Sequence, residues 1–224
     1  MLRSFERRMT NVVVIRPGCT DFDEQHRLQG SLDLPLNDLG KQQVARLAAE
    51  LADAPLEVLY TGPCEPAKTT ADTIGELQGI PVKEIAELCN VNQGLWQGLQ
   101  LEEIRRKFPK VYKQWHESPE KICPPEGETL TEAVERIEKA LHKPLKRKKA
   151  FGIVASEPLA TLVGCVLRGS KPELPQDLSE TSRTALVERL ETNGKNLPPG
   201  AAEGVNGQTD SSEAAISLAR GQSQ

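Results

Sequence analysis

The chain has 224 residues, a formal net charge of −4 and a hydrophobic content of 38%. That length is enough for one sizeable core, and a mildly acidic chain is a poor candidate for sequence-independent nucleic-acid binding. No apolar run in the sequence approaches the length of a membrane span, so we expect a cytoplasmic protein with neither a nucleic-acid nor a membrane partner.

Apolar strand patterns alternate with amphipathic helix patterns along most of the chain. Strands are predicted at 11–16, 56–60 and 150–155, and helices at 38–53, 66–77, 101–108, 129–141 and 158–167. Segment 184–190 is predicted to form a final strand or a short helix. The alternation predicts an α/β domain with a mostly parallel sheet.

The composition changes near Lys195. The stretch that follows has no aromatic residue and is rich in Gly, Ser, Gln and Asn, so it cannot bury enough apolar surface to offset its ordering entropy. We predict one domain over 1–194 and a disordered C-terminal tail over 195–224. The basic run Lys143–Lys149 is interpreted as a solvated helix end, with a polyanion-binding patch as the alternative.

Several motifs follow one another in a fixed order. The first strand ends at Arg16, and the later motifs are Arg27–Gly30, Asp33–Gly40, Gly94-x-Trp96-x-Gly98-Leu99 and Pro125–Glu128. In this order they resemble the histidine phosphatase (phosphoglycerate mutase-like) superfamily over about residues 11–170. The resemblance implies a three-layer α/β/α fold with a mostly parallel central sheet.

The resemblance also implies a catalytic site, and most of its residues are replaced here. In the family, a histidine attacks the phosphoryl group, two arginines and a second histidine bind its oxygens, and an acid protonates the leaving group. Only the first arginine is kept, as Arg16. The nucleophile falls on Pro17, the second arginine on Pro66, the proton-donor glutamate on Asn90 and the second histidine on Glu157.

The replacements reverse the charge of the implied pocket. Arg16 faces Glu157 and Asp23, and Asp23 stands where the family has a phosphate-binding asparagine. At ~4 Å and an effective dielectric of ~20, each carboxylate repels an anion by about 4 kcal/mol, so phosphate binding should be weak. We predict an Arg16–Glu157 ion pair and interpret Arg16, Asp23, Asn90 and Glu157 as a vestigial pocket, with no catalytic residue, metal or cofactor.

No shift of the alignment supplies another nucleophile. The histidines are His26, His116 and His142, and none of them stands at the end of the first strand. We expect all three to be surface residues.

Three of the five cysteines, Cys19, Cys64 and Cys89, fall in loops that build the active site of the family. The odd number of cysteines and the lack of a CxxC pair favour reduced thiols. The simplest interpretation is that they are small, half-buried loop residues. A soft-metal or redox site is the alternative.

Three hypotheses about function stay open. The first is a catalytically inactive pseudoenzyme that serves as a binding or regulatory module for an unidentified protein or small molecule, such as a ligand with a cationic end. The second is an enzyme, either a residual phosphatase or phosphoglycerate mutase-type enzyme, or one with a different chemistry that uses Glu157 as a base. The third is an inert domain whose tail is the interacting segment.

Overall fold

A computed structural model describes residues 10–117, 123–174 and 187–192; the predicted tail, 195–224, lies outside the described residues. The strands are β1 (Thr10–Ile15), β2 (Leu59–Thr61), β3 (Val82–Glu84), β4 (Phe151–Val154) and β5 (Val187–Thr192). The helices are α1 (Asp21–Glu24), α2 (Asp38–Glu50), α3 (Ala67–Gln78), α4 (Leu101–Lys107), α5 (Pro109–Glu117), α6 (Leu130–Lys146) and α7 (Leu159–Arg168). Two short 3-10 helices cover Ala86–Leu88 and Gly94–Trp96.

The strands form one sheet in the order β3-β2-β4-β1-β5. All neighbouring strands are parallel except β5, which runs antiparallel to β1. Ile15 and Thr61 both pair with Val154, so the carboxyl ends of β1, β2 and β4 lie level with one another. The loops that follow these three strands therefore meet at one edge of the sheet.

Helices cover both faces of the sheet. Val12 and Val14 point into a core cluster that contains residues of α6 and α7, whereas Val13 and Ile15 point into a second cluster with residues of α2 and α3. This alternation follows from the two-residue period of a strand buried on both faces. The predicted three-layer α/β/α architecture is confirmed.

Some predicted boundaries differ from the observed ones. Helix α6 begins at the predicted capping box of Thr129 and Glu132, but it continues through Pro144 to Lys146 instead of ending at 141. The segment with two alternatives, 184–190, contributes the strand β5, and its first residues lie outside the described ranges. Strand β3 and helix α5 were not predicted. Within the described ranges, no helix is long and apolar enough to cross a membrane.

Two of the sequence motifs pack against each other beside the sheet. The backbone N–H of Leu28 donates to Leu99 O at 2.9 Å, and the N–H of Gly98 donates to Leu28 O at 2.8 Å. Trp96 is fully buried, and its ring meets that of Trp115 edge to face at 5.9 Å. The motifs Arg27–Gly30 and Gly94–Leu99 therefore build a small core of their own.

The motif Asp33–Gly40 fixes the start of α2 against the loop that follows β1. The N–H of Gly40 donates to the Asn37 side chain at 2.8 Å, which caps the helix. A Cβ atom at Gly40 would lie 2.1 Å from the carbonyl oxygen of Cys19. Only glycine allows this close approach, which holds the loop of Arg16 and Pro17 in place.

We expect Gly40→Ala to lower the free energy of unfolding by about 2 kcal/mol or more, because the new methyl group collides with backbone. The matched control is Gly79→Ala, where the added Cβ meets nothing within 4 Å and φ is 66°. That change should cost only about 1 kcal/mol of left-handed strain. Urea titration of both variants measures the difference; a Gly40 variant as stable as the Gly79 variant would contradict the close packing.

Candidate active site

A small cavity lies where the loops after β1 and β4 meet the start of α3. Its volume is ≈ 10 Å³, which is room for about one water molecule. The cavity is therefore too small for a phosphate ion. The lining residues are Arg16, Pro17, Gly18, Asp23, Gln29, Pro66, Ser156 and Glu157.

The predicted Arg16–Glu157 ion pair is confirmed. Arg16 Nη1 lies 3.3 Å from Glu157 Oε1, and the two side chains are only 15% and 3% exposed. The other carboxylate oxygen, Oε2, accepts hydrogen bonds from the hydroxyl of Thr161 at 2.8 Å and from its backbone N–H at 3.3 Å. Both oxygens of Glu157 are therefore engaged by protein groups.

Burial raises the pKa of Glu157 above its ordinary value, although hydrogen bonding from Thr161 and the positive charge of Arg16 act in the opposite direction. Desolvation of the charged form thus outweighs the stabilisation that its partners provide. The ionised carboxylate is tolerated because it has these partners.

The side chain of Asp23 forms hydrogen bonds with a neighbouring residue of its own loop. Its Oδ2 accepts hydrogen bonds from the N–H of Thr20 at 2.7 Å and from the Thr20 hydroxyl at 2.8 Å, which completes the capping box of α1. Burial raises the pKa of Asp23, and the bonds from Thr20 oppose this effect. Asp23 lines the cavity, as the sequence predicts, but its geometry favours a structural role.

Asn90 is not among the residues that line the cavity, unlike Arg16, Asp23 and Glu157, but it joins three segments beside it. Its amide nitrogen donates to the carbonyl oxygens of Gly30 and Glu157, both at 2.9 Å. Its amide oxygen accepts from the N–H groups of Val91 and Leu159 at 2.8 and 3.3 Å. Asn90 therefore holds loops together, and both its predicted match to the family's proton donor and its binding role stay predictions.

The remaining replacements add no charge to the cavity. Pro17 and Pro66 line it, and Pro66 stands immediately before α3. Lys68, the nearest cation in that helix, pairs instead with Glu84 at 3.1 Å and with Asp72 at 3.9 Å. His26 is exposed and His142 is half-buried, whereas the side chain of His116 lies outside the described residues.

Three side chains near the cavity received no role in the sequence analysis. Gln29 donates to Glu65 O at 3.2 Å and joins the first loop to the start of α3. Ser156 lines the cavity, and Thr161 binds Glu157. Two signals point to them: Gln29 belongs to the motif Arg27–Gly30, and Thr161 stands four residues after Glu157, the spacing of neighbours on a helix.

The three loop cysteines do not converge on one point. Cys64 Sγ lies 3.3 Å from Cys89 Sγ, whereas Cys19 is buried with its backbone N–H bound to Gln43. Within the described part of the chain, no group of three or more His, Cys, Asp or Glu residues is arranged to hold a metal ion. The alternative of a three-thiol metal site is thus not supported there.

Comparison with known proteins decides the family. The sequence model described as "Histidine phosphatase superfamily (branch 1)" matches residues 12–196. The chain belongs to the histidine phosphatase superfamily. The predicted family is therefore confirmed, together with its fold.

Relatives in the histidine phosphatase superfamily include named phosphatases. Phosphoserine phosphatase 1 of Hydrogenobacter thermophilus is 30% identical over 139 residues, which is 62% of this chain and 66%, just under two thirds, of the relative. Glucosyl-3-phosphoglycerate phosphatase of Mycolicibacterium vanbaalenii is 27% identical over 156 residues, 70% of this chain and 69% of the relative.

Solved structures show the same fold. The mycobacterial glucosyl-3-phosphoglycerate phosphatase superposes with a TM-score of 0.69 and 23% identity, covering 82% of this chain and 91% of that one. Phosphoglycerate mutase from Bacillus anthracis also gives a TM-score of 0.69, with 20% identity and coverage of 84% and 90%.

We expect Arg16→Ala to lower the free energy of unfolding by about 3 kcal/mol at neutral pH, because it leaves a buried carboxylate without its guanidinium partner. The folded-state pKa of Glu157 is already raised, so its ionised form costs stability as pH rises through that pKa. The loss caused by Arg16→Ala should therefore shrink toward about pH 5, where Glu157 takes up a proton more readily.

The control is the same change in a Glu157→Gln background. There the Glu157 carboxylate is absent, so Arg16→Ala should cost less and its effect should vary less with pH. Urea titrations at several pH values give the four free energies. Equal costs in the two backgrounds would show that the contact contributes no coupling.

Proposed function

We propose that this histidine phosphatase family member is catalytically inactive and acts as a binding or regulatory module. The observation that supports this most directly is the residue at the end of β1. Pro17 has neither a nucleophilic side chain nor a backbone N–H, and it occupies the position of the phosphorylated histidine.

The geometry around Pro17 supports the proposal independently. A cavity of ≈ 10 Å³ leaves no room for a phosphoryl group. Its cation, Arg16, is neutralised by Glu157, and Asp23 adds a second acidic group to the wall. The small volume and the low net positive charge of this cavity both disfavour phosphoryl transfer, which supports the proposal.

A second candidate function is phosphatase activity, and the names of the relatives favour it. The phosphoserine and glucosyl-3-phosphoglycerate phosphatases match this chain over most of its described length. Such activity would have to use Arg16 for phosphate binding, because Arg16 is the retained member of the family's catalytic set. The two candidates therefore differ in what happens when Arg16 is removed.

We expect the purified chain to release no more phosphate from phosphoserine or p-nitrophenyl phosphate than its Arg16→Ala variant. Both proteins are assayed below their melting temperatures, with an active family phosphatase as the positive control. Release that is present in the natural chain and lost in the variant would disprove the proposal of inactivity and establish the phosphatase.

For the binding role, we propose a groove that shares no lining residue with the cavity of Arg16 and Glu157. Two adjoining cavities of ≈ 460 and ≈ 390 Å³ share Tyr60, Lys83, Pro144 and Arg147. These volumes lie in the range of small-molecule sites. The groove runs between the β2–β3 edge of the sheet and the end of α6, with an apolar floor that includes Tyr60 and Phe151.

The charges of the groove favour an anionic ligand. Lys149 pairs with Glu57 and Lys139 pairs with Glu87. Lys83, Lys143 and Arg147 have no acidic partner among the described residues, so they leave an excess of positive charge on the rim. An anionic ligand in this groove agrees with the polyanion-binding alternative for the basic run Lys143–Lys149. It replaces the expectation of a ligand whose cationic end binds in the cavity of Arg16 and Glu157.

We expect sodium tripolyphosphate to raise the melting temperature of the natural chain and of Glu157→Gln by similar amounts. The shift should disappear in the double variant Lys143→Glu, Arg147→Glu, which removes cations from the groove. The matched control is Lys110→Glu, Lys171→Glu, because it makes the same change in net charge at exposed positions outside the groove. Equal shifts in both double variants would rule out a specific site.

A further inference from the structure

Cys64 and Cys89 form a contact pair that the proposed function does not use. Their sulfur atoms lie 3.3 Å apart, and both residues are half-buried. The other three cysteines differ from them: Cys19 and Cys165 are buried, and Cys123 is exposed without a thiol neighbour among the described residues.

The backbone brings the two thiols together. Gly62, two residues before Cys64, lies so close to the other segment that a Cβ atom there would be 2.3 Å from Leu88 O and 2.9 Å from Cys89 N. The N–H of Ile85 also donates to Thr61 O at 2.8 Å. The main chains of the two segments are therefore closely packed beside the sulfur contact.

Hydrogen bonds fix each cysteine on its own side as well. Cys64 O accepts from the N–H of Lys68 at 3.2 Å in the first turn of α3. Cys89 O accepts from the guanidinium of Arg136 at 2.7 Å, and Arg136 is held by Glu128 through two hydrogen bonds. Neither segment needs a large rearrangement for the sulfur atoms to move from contact to bonding distance.

We propose that Cys64 and Cys89 are a redox-active dithiol that closes to an intramolecular disulfide on reaction with a small-molecule disulfide. One thiolate attacks the small disulfide, breaks its S–S bond and releases one thiol. The second protein thiol then loses its proton, attacks the protein sulfur of the mixed disulfide and releases the second small thiol. The protein gives up two electrons and two protons, and the small disulfide takes them up.

The surroundings of the pair disfavour the ionised form of Cys64. Burial, the hydrogen bond with Cys89 and the negative charges of Cys89, Asp33 and Glu84 together raise the pKa of Cys64 to about 12. Because the thiolate is the attacking species, Cys64 is poorly suited to the first step.

A disulfide between Cys64 and Cys89 would constrain the segments around the small cavity. Cys64 lies in the loop that leads to Pro66, and Cys89 precedes Asn90, which binds Gly30 and Glu157. A disulfide would therefore join two of the segments that line or hold the cavity. It would bridge cysteines 25 positions apart in the chain and restrict the unfolded state accordingly.

The test treats the full, reduced chain with oxidised glutathione and then blocks the remaining thiols after denaturation. We expect the number of free thiols to fall from five to three, with an intact mass before blocking that is lower by two hydrogens and shows no bound glutathione. Trypsin separates the two cysteines, since Lys68 and Lys83 lie between them. One disulfide-linked peptide pair should therefore contain Cys64 and Cys89.

Variants provide the second measurement. Cys89→Ser should lose the cross-link, whereas Cys123→Ser, the matched exposed cysteine, should keep it. Oxidation should raise the melting temperature of the natural chain by roughly 5 °C or more and leave that of Cys64→Ser unchanged. Five free thiols after treatment, separate glutathione adducts on Cys64 and Cys89, or a cross-link between any other pair would each overturn the proposal.

Discussion

The level carboxyl ends of β1, β2 and β4 are the constraint on which the site depends. Because these parallel strands end side by side, the loops that follow must neutralise and hydrogen-bond one another wherever water is excluded. The charge of Arg16 is balanced within the protein, since Glu157 pairs with Arg16 and also binds Thr161 at the start of α7. A ligand that approached Arg16 would have to displace a carboxylate already held by two partners.

The family motifs that this chain contains stabilise its fold. Asn37 caps α2, and the lack of a side chain at Gly40 allows the backbone of Cys19 to pack closely against it. Trp96 fills a small core, and Glu128 binds both the guanidinium of Arg136 and the N–H of Asn92. Loss of any of these groups would leave a collision, a void or an unsatisfied buried group.

Sequence patterns predict this fold well where the physical signal is long and periodic. The buried run of β1, the capping box of α6 and the glycine after α7 each correspond to an observed feature. Strand β3 is not predicted, because its three residues are too few to show an alternating pattern. The ion pair of Arg16 and Glu157 follows from the family alignment. Neither the small volume of the cavity nor the contact between Cys64 and Cys89 is predictable from the sequence, because both depend on side-chain packing between distant segments.

The hydrogen bonds of Asn90 show why an amide suits this position beside Glu157. An ionised glutamate can only accept hydrogen bonds, whereas an amide both donates and accepts. The Asn90 side chain uses this difference fully, because its nitrogen binds the carbonyl oxygens of Gly30 and Glu157 while its oxygen receives two N–H groups. A glutamate here would face two carbonyl oxygens with no donor and would bring another negative charge beside Glu157. The amide at 90 is therefore matched to the carboxylate at 157, and a glutamate at 90 would oppose Glu157.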